Sequence, residues 1–400
     1  MLVFVGADWD SKKCVVLVDD GVRESRTTIL RTPAAVLKFM SQWDGHEVRV
    51  GIEVGDELWA RLFEEAGARV FVFDAKQSKR FHETLGSSGA SDDARSATAL
   101  CTMVQSARHR EKALHRPSAQ QRALDSLVRR HEMLSKDNGR LRNRLVSLLK
   151  QYHPALAACA KDVTLKSVLN LIEGAATPLE WNELKPDQQA ELLRPFKAER
   201  REVLEAALGD CWVSMSSWES EAAGDQIRSV VRVLRVGLDE QNAAQRALNA
   251  AKERSQSMKA ATSVTGIGAK LGAGIALAYE MEGDSDRDAL NRRVCTAPVT
   301  NRSGVRGDTK PHVSRRFKAT ALMKNIGYLA AVQVVLRMKW AKAQFAHHRS
   351  RGTNAAGAYR RVGRSLMRII HALIRDNVEF DEERYVAGLK AKGVEWAMAL

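Results

Sequence analysis

The chain has 400 residues, 44% of them hydrophobic, 28% charged and 6% aromatic, the profile of a helix-rich globular protein with room for two or three domains. Its five cysteines (Cys14, Cys101, Cys159, Cys211 and Cys295) stand singly without a CxxC, which argues against a disulfide framework or a zinc site, and no run of 18 apolar residues is present to span a membrane. The net charge is +15, and residues 287–375 alone hold 20 Lys and Arg against two acids, Asp288 and Asp308, an imbalance that calls for a polyanionic partner such as nucleic acid.

Taken from the N-terminus, the apolar start at residues 1–5 is too short for a signal peptide and runs at once into Asp8 and Asp10. Residues 2–5 and 14–18 predict a β-hairpin whose polar connection is Asp8-Trp9-Asp10-Ser11-Lys12-Lys13. Residues 47–53 alternate as a third strand, residues 57–66 have helical spacing closed by Gly67, and residues 69–73 form a fourth strand. After the Gly86-Ser87-Ser88-Gly89 segment a helix is expected from about Ser91 to Val104. Leu124, Leu127, Leu134, Leu141, Leu145, Leu148 and Leu149 recur at near-heptad intervals, so a long helix over residues 118–150 is expected, stopped by Pro154. A second apolar stripe, Ile227, Val230, Val231, Leu234 and Leu238, offers it a partner. Farther on, Val264-Thr265-Gly266-Ile267-Gly268 opens a helix. A glycine turn of that kind lets bare backbone N–H groups of Gly266 and Gly268 approach a phosphate, as in helix-hairpin-helix DNA binders. The expected organisation is an α/β domain over residues 1–115, a helical coiled-coil region over 116–260 and a mainly α domain over 261–400.

Asp8 and Glu53 lie near the ends of neighbouring predicted strands. Carboxylates brought together repel one another unless a cation lies between them, and Mg2+ (or Mn2+) held in that way supports phosphodiester chemistry. Acids on a hairpin, a strand and a following helix are the arrangement of RNase H-like nucleases.

Several motifs carry a family resemblance over most of the chain. They are Gly6-Ala7-Asp8-Trp9, Ile52-Glu53-Val54-Gly55, the stretch VFVFDAKQSKRF at residues 70–81, Ser87-Ser88-Gly89-Ala90, and Cys295-Thr296-Ala297-Pro298-Val299-Thr300-Asn301-Arg302-Ser303-Gly304. On these the chain resembles the DEDD-type insertion-sequence transposases and Piv-like DNA invertases. The resemblance implies a RuvC-like RNase H fold at the N-terminus and a transposase domain at the C-terminus. It also implies metal-binding acids at Asp8, Glu53 and Asp93, and a serine nucleophile, Ser303, that becomes linked to DNA. Where the family has a fourth acid this chain has Ser96, a neutral and weak ligand, and Asp92, about 100° round the helix from Asp93, is the nearest stand-in.

In the same way Arg302 and Arg306 would neutralise the charge developing at phosphorus. Arg315, Arg316, Lys318 and Lys324 resemble the family's basic helix beyond the serine motif, and the arginines of residues 359–375 its closing helices. The expected function is a DNA transposase or recombinase with DNA as substrate, active in the bacterial cytoplasm. Implied by the resemblance alone are a guide (bridge) RNA and a homo-dimer or tetramer sharing half-sites between protomers. Two other readings stay open: a nuclease of the Holliday-junction-resolvase kind, which would not need Ser303, and a non-catalytic nucleic-acid-binding derivative, motivated by Ser96.

Overall fold

A computed structural model describes residues 1–53, 57–73, 75–84, 92–106, 118–160, 162–212, 214–281, 287–301, 312–315 and 320–400. Contacts divide the chain into two compact units, Met1–Ser118 and Ala119–Leu400. The regions 116–260 and 261–400 expected from the sequence fall almost wholly inside the second.

The first unit is built on strands β1 (Leu2–Trp9), β2 (Lys13–Asp19), β3 (Glu24–Leu30), β4 (Glu47–Glu53) and β5 (Arg69–Phe73), with helices α1 (Pro33–Met40), α2 (Glu57–Glu65), α3 (Ala75–Thr84) and α4 (Asp93–Ser106). The strands form one mixed sheet in the order β3-β2-β1-β4-β5, antiparallel among the first three and parallel from β1 to β5. Period-two alternation gives the sheet two faces. Val3, Val5 and Ala7 of β1 and Val48, Val50 and Ile52 of β4 share a core with Phe39 of α1 and with Trp59 and Phe63 of α2. On the opposite face Phe4, Phe71 and Phe73 pack against Leu100, Met103 and Val104 of α4.

Two sequence expectations need correction here. Asp8 lies near the end of β1, as the strand-end reading has it, and Trp9 belongs to that strand rather than to the hairpin connection: they pair with Val15 and Cys14. The turn shrinks to Asp10, Ser11 and Lys12 because the Asp10 carboxylate accepts from the backbone N–H of Lys12 and Lys13. β3 and α1 were not anticipated. β3 (ESRTTIL) buries only Ile29, so it lacks an apolar signature, and it exists as an edge strand because β2 offers it a full antiparallel ladder. α1 follows directly, capped by Thr32 with Pro33 in its first turn.

The second unit opens with α5 (Ala119–Tyr152) and then five shorter helices: α6 (Pro154–Cys159), α7 (Lys166–Gly174), α8 (Pro178–Glu183), α9 (Pro186–Leu193) and α10 (Ala198–Leu208). The chain returns along α11 (Ser217–Arg254). Helix α11 starts on a capping box, Ser216 with Glu219, and runs antiparallel to α5. Gln120 reaches Arg254, Asn138 reaches Gln241, and Leu145, Leu148 and Leu149 share a core with Ile227, Val230, Val231 and Leu234. The two stripes read from the sequence therefore meet. Between the apolar ends the heptad gives way to polar residues: His131, Glu132 and Asn138 are buried, and Leu134 and Leu141 are only half-buried. Asn138 faces Gly237, where a Cβ would stand 2.1 Å from its Oδ1. Pro154 does not simply end α5; it starts α6.

The remaining elements are α12 (Gln256–Thr262), α13 (Ala269–Glu280), α14 (Arg287–Arg293), the strands β6 (Pro298–Asn301) and β7 (His312–Arg315), and α15 (Ala321–Arg337), α16 (Lys339–Ser350), α17 (Ala355–Asp376) and α18 (Glu382–Ala391). β6 and β7 pair antiparallel, Pro298 opposite Arg315. A core centred on α13, α15 and α17 also takes in Leu124 and Val128 of α5 and Leu248 of α11, so the base of the long hairpin and the C-terminal helices fold on one another. No helix among the described residues is long and apolar enough to cross a membrane.

Candidate active site

The site grows out of strand parity. In β1 the residues facing α4 are Phe4, Gly6 and Asp8; in β4 they are Gly51 and Glu53. β1 and β4 are parallel, with Gly6 opposite Gly51, so Asp8 and Glu53 come level one position beyond the last paired residues, Ala7 and Ile52. The glycines make room for α4. A Cβ on Gly6 would lie 1.9 Å from the carbonyl oxygen of Ala97 and 2.3 Å from the amide nitrogen of Cys101, and one on Gly51 would lie 2.7 Å from the carbonyl oxygen of Leu100. These are backbone atoms of α4, which cannot turn aside as a side chain would. Glycine two residues before each acid thus seats the helix whose first turn carries Asp93.

The Asp8 carboxylate feels the charges of Asp93 and Glu53. Burial pushes the Asp8 carboxyl up to about 6, and the charges of Asp93 and then Glu53 add to the effect. Hydrogen bonds from the Trp9 backbone N–H and the Ser96 hydroxyl work against it. The position where the resemblance expects a fourth acid is therefore a donor to Asp8. Asp92 accepts from the backbone N–H of Arg95 at 2.7 Å and caps α4. Its carboxylate is spoken for locally, and the side chain is exposed.

Two indoles, unassigned by the sequence reading, brace the strand ends. Trp9 donates from Nε1 to the carbonyl of Glu53 at 3.3 Å, and the fully buried Trp59 donates to the carbonyl of Asp10 at 3.2 Å. The first bond ties the end of β1 to the end of β4 just past their ladder, and so fixes the spacing of Asp8 and Glu53. A tryptophan directly after a strand-end acid was the available signal.

The donor set is carboxylate and hydroxyl oxygen throughout, which suits a hard divalent cation such as Mg2+ or Mn2+. Burial raises the Asp8 carboxyl, and the negative charge of Asp93 and Glu53 adds to it, a load that a bound cation would relieve. Among the described residues, no three acidic, histidine or cysteine side chains stand close enough to enclose an ion as they are. The fit therefore rests on donor chemistry and charge.

In the second unit the candidate residues divide. Ser303, Arg302, Arg306, Arg316 and Lys318 lie outside the described residues, as do Ser87, Ser88, Gly89 and Ala90 of the first unit. Arg315 ends strand β7 and is not in a basic helix: residues 312–315 pair with β6, and the next helix starts only at Ala321, capped by Thr320. Lys324 lies in the first turns of that helix. Thr296, at the entry to the serine motif, donates to the side chain of Asn291 at 2.6 Å with both residues buried, and packs where a Cβ on Gly363 of α17 would stand 2.9 Å from its Cγ2. Cys295 holds a φ of 58°, in the left-handed region that favours glycine. In the Gly266-Ile267-Gly268 turn only Gly266 is conformationally required, with a φ of 101° and the carbonyl of Gln333 2.9 Å from its would-be Cβ. Gly268 leads into α13 with open space around it among the described residues, as a backbone approach to phosphate would require.

Comparison with known proteins bears on the same residues. Residues 5–154, which contain Asp8, Glu53 and Asp93, match the model of the DEDD family of IS110 type, described as transposase. The mini-circle putative transposase for IS117 of Streptomyces coelicolor is 24% identical over 97% of this chain and 98% of its own length. The putative transposase y4uE of Sinorhizobium fredii is 27% identical over 49% of this chain and 57% of its own. The acid-bearing first part of the chain is thus similar to the DEDD transposases of IS110 type, and nearly its whole length is similar to a putative insertion-sequence transposase.

Proposed function

We propose that the protein is a DNA recombinase that cuts and rejoins strands through an acidic site at Asp8, Glu53 and Asp93 and a serine nucleophile at Ser303. The observation that carries this reading is the register that brings Asp8 and Glu53 level at the ends of paired parallel strands, on the face covered by α4 with Asp93 in its first turn. The strand order β3-β2-β1-β4-β5, with only β2 antiparallel to both its neighbours, supports an RNase H-like, RuvC-like assignment of the first unit. Asp8, Glu53 and Asp93 would hold Mg2+ or Mn2+, which when bound activates an oxygen nucleophile and stabilises a leaving oxygen. Ser96 orients Asp8 through its hydroxyl, and Trp9 holds the Glu53 strand end in place. Arg302 and Arg306 flank Ser303 and supply cationic charge where phosphorus accumulates negative charge.

Further parts of the reading rest on family likeness. A structured bridge RNA is one; a dimer or tetramer is another, supported by an apolar groove on the α5–α11 hairpin lined by Leu134, Leu141, Val233 and Val236, the two valines 54% and 65% exposed. A second reading, a nucleic-acid-binding derivative without catalysis, is favoured by one observation, the neutral Ser96 at the acid cluster. Strand cleavage of supercoiled DNA by the purified protein separates the readings. The recombinase reading expects Asp8→Asn and Ser303→Ala each to lower cleavage at least about 1,000-fold, as losses of a metal ligand and a nucleophile do. Cleavage surviving Ser303→Ala points to a resolvase-like nuclease, and cleavage by neither wild type nor Ser96→Asp points to the non-catalytic derivative.

A further inference from the structure

Within residues 287–375 the surplus of Lys and Arg is relieved by just two acids, and the one within the described residues, Asp288, sits on a pair of arginines. Arg364 and Arg368 are four residues apart on α17 and so share a face of that helix. Both turn to Asp288 of α14: Arg368 Nη2 stands 3.3 Å and Arg364 Nη2 3.9 Å from Oδ1. Charge-assisted contacts normally close to about 2.7–2.9 Å, so one carboxylate oxygen is stretched between two guanidinium groups and satisfies neither in full. The Nε atoms of both arginines are shielded from water and have no hydrogen-bond partner among the described residues. Both arginines turn an Nη group to the same point, and a phosphodiester offers two oxygens there, one for each guanidinium group. The three side chains are 37–43% exposed, open to a ligand yet partly out of water.

Their place in the fold adds meaning. Gly363, beside Arg364, lies against Thr296, two residues before β6, the strand that leads to Ser303. The arginine pair thus borders the entry to the serine motif within one compact unit.

We propose that Arg364 and Arg368 form a fork for a backbone phosphate of duplex DNA, and that Asp288 occupies the phosphate's position in the free protein and yields it on binding. The inference rests on the reading of the protein as one that acts on DNA, and adds to it a specific phosphate site with a built-in competitor. Asp288 keeps the two guanidinium groups apart and aimed at one point, and it lowers the affinity for any chance polyanion.

Fluorescence anisotropy with a labelled 30-base-pair duplex, followed from 50 to 300 mM salt on the full-length protein, tests this. A labelled hairpin RNA of similar length serves as the parallel arm. The log–log salt slope falls by about 0.9 for each phosphate that is no longer neutralised, so Arg364→Gln/Arg368→Gln, which removes one phosphate contact, is expected to flatten it by about 0.9. Asp288→Asn is expected to tighten duplex binding several-fold at low salt. Arg364→Lys/Arg368→Lys keeps the slope, because it keeps the charge. An unchanged slope in the Gln pair, or duplex binding by Asp288→Asn no tighter than wild type, overturns the fork. Effects confined to the RNA arm overturn the assignment to DNA. Absence of salt-dependent duplex binding by the wild type is a different outcome: it removes the DNA reading itself.

Discussion

The acidic end of the first unit and the basic helices of the second solve opposite electrostatic problems. In the sheet, strand parity brings Asp8 and Glu53 level and a glycine-seated helix carries Asp93, and burial, with the charges of Asp93 and Glu53 adding to it, raises the Asp8 carboxyl above its ordinary range. On α17 a long surplus of positive charge is spread along a solvated face, and the strain at Arg364 and Arg368 is eased by a single acid from a neighbouring helix. The lesson is one of scaffold. Like charges stay close only where backbone packing over-determines their positions, and such positions are where a cation is worth binding.

The comparison is broken most severely at the glycines. Gly6→Val places carbon against the α4 backbone, and is expected to cost at least about 3–5 kcal/mol or to prevent folding of the first unit, as overpacking against fixed atoms does. Gly268→Ala, in open space, is expected to leave the melting temperature unchanged. Thermal or urea unfolding followed by circular dichroism reads both. Next in size is the long hairpin, where Leu234→Ala in the fully buried α5–α11 core is expected to cost about 2–4 kcal/mol by the same measurement.

Asp8 gives a smaller effect with a definite sign. Its folded-state pKa lies above its ordinary value, so the contribution it makes to stability is present at low pH and is lost as pH rises through about 6. Without divalent metal, Asp8→Asn is therefore expected to be more stable than wild type above pH 6 by about 1–2 kcal/mol, a figure held down because the site is half open to water. The advantage should vanish below pH 4. The smallest effect falls on Cys295: replacing a left-handed cysteine by glycine, Cys295→Gly, is expected to gain about 0.5–1 kcal/mol, the relief of Cβ strain less the glycine's greater chain entropy.

Much of this architecture was legible in the residues themselves. Alternation in residues 47–53 marked β4 and the apolar run in residues 69–73 marked β5, the first because its alternate residues Val48, Val50 and Ile52 are buried and the second because it packs on both faces of the sheet. The leucine spacing of α5 and the valine stripe of α11 announced their pairing. What escaped notice was held by tertiary context: β3, with a single buried residue, depends on a ladder supplied by β2, and the polar layer at His131, Glu132 and Asn138 hides behind an apparent heptad. For the candidate site, the acids were singled out from motif and strand ends. The use of Gly6 and Gly51 as a seat for α4, and the indole of Trp9 as a brace, needed the register of β1 on β4 and the path of α4 across it.

The claim on which the rest depends is that Asp8, Glu53 and Asp93 act as one cation site. Titration of the metal-free full-length protein with Mn2+, followed by electron paramagnetic resonance between pH 5 and 8, addresses it without any need for activity. The account predicts saturable binding by wild type that weakens as pH falls below about 6, and loses at least about tenfold in affinity in Asp8→Asn. Binding of equal strength in wild type and Asp8→Asn, or none by the wild type at pH 8, would contradict it.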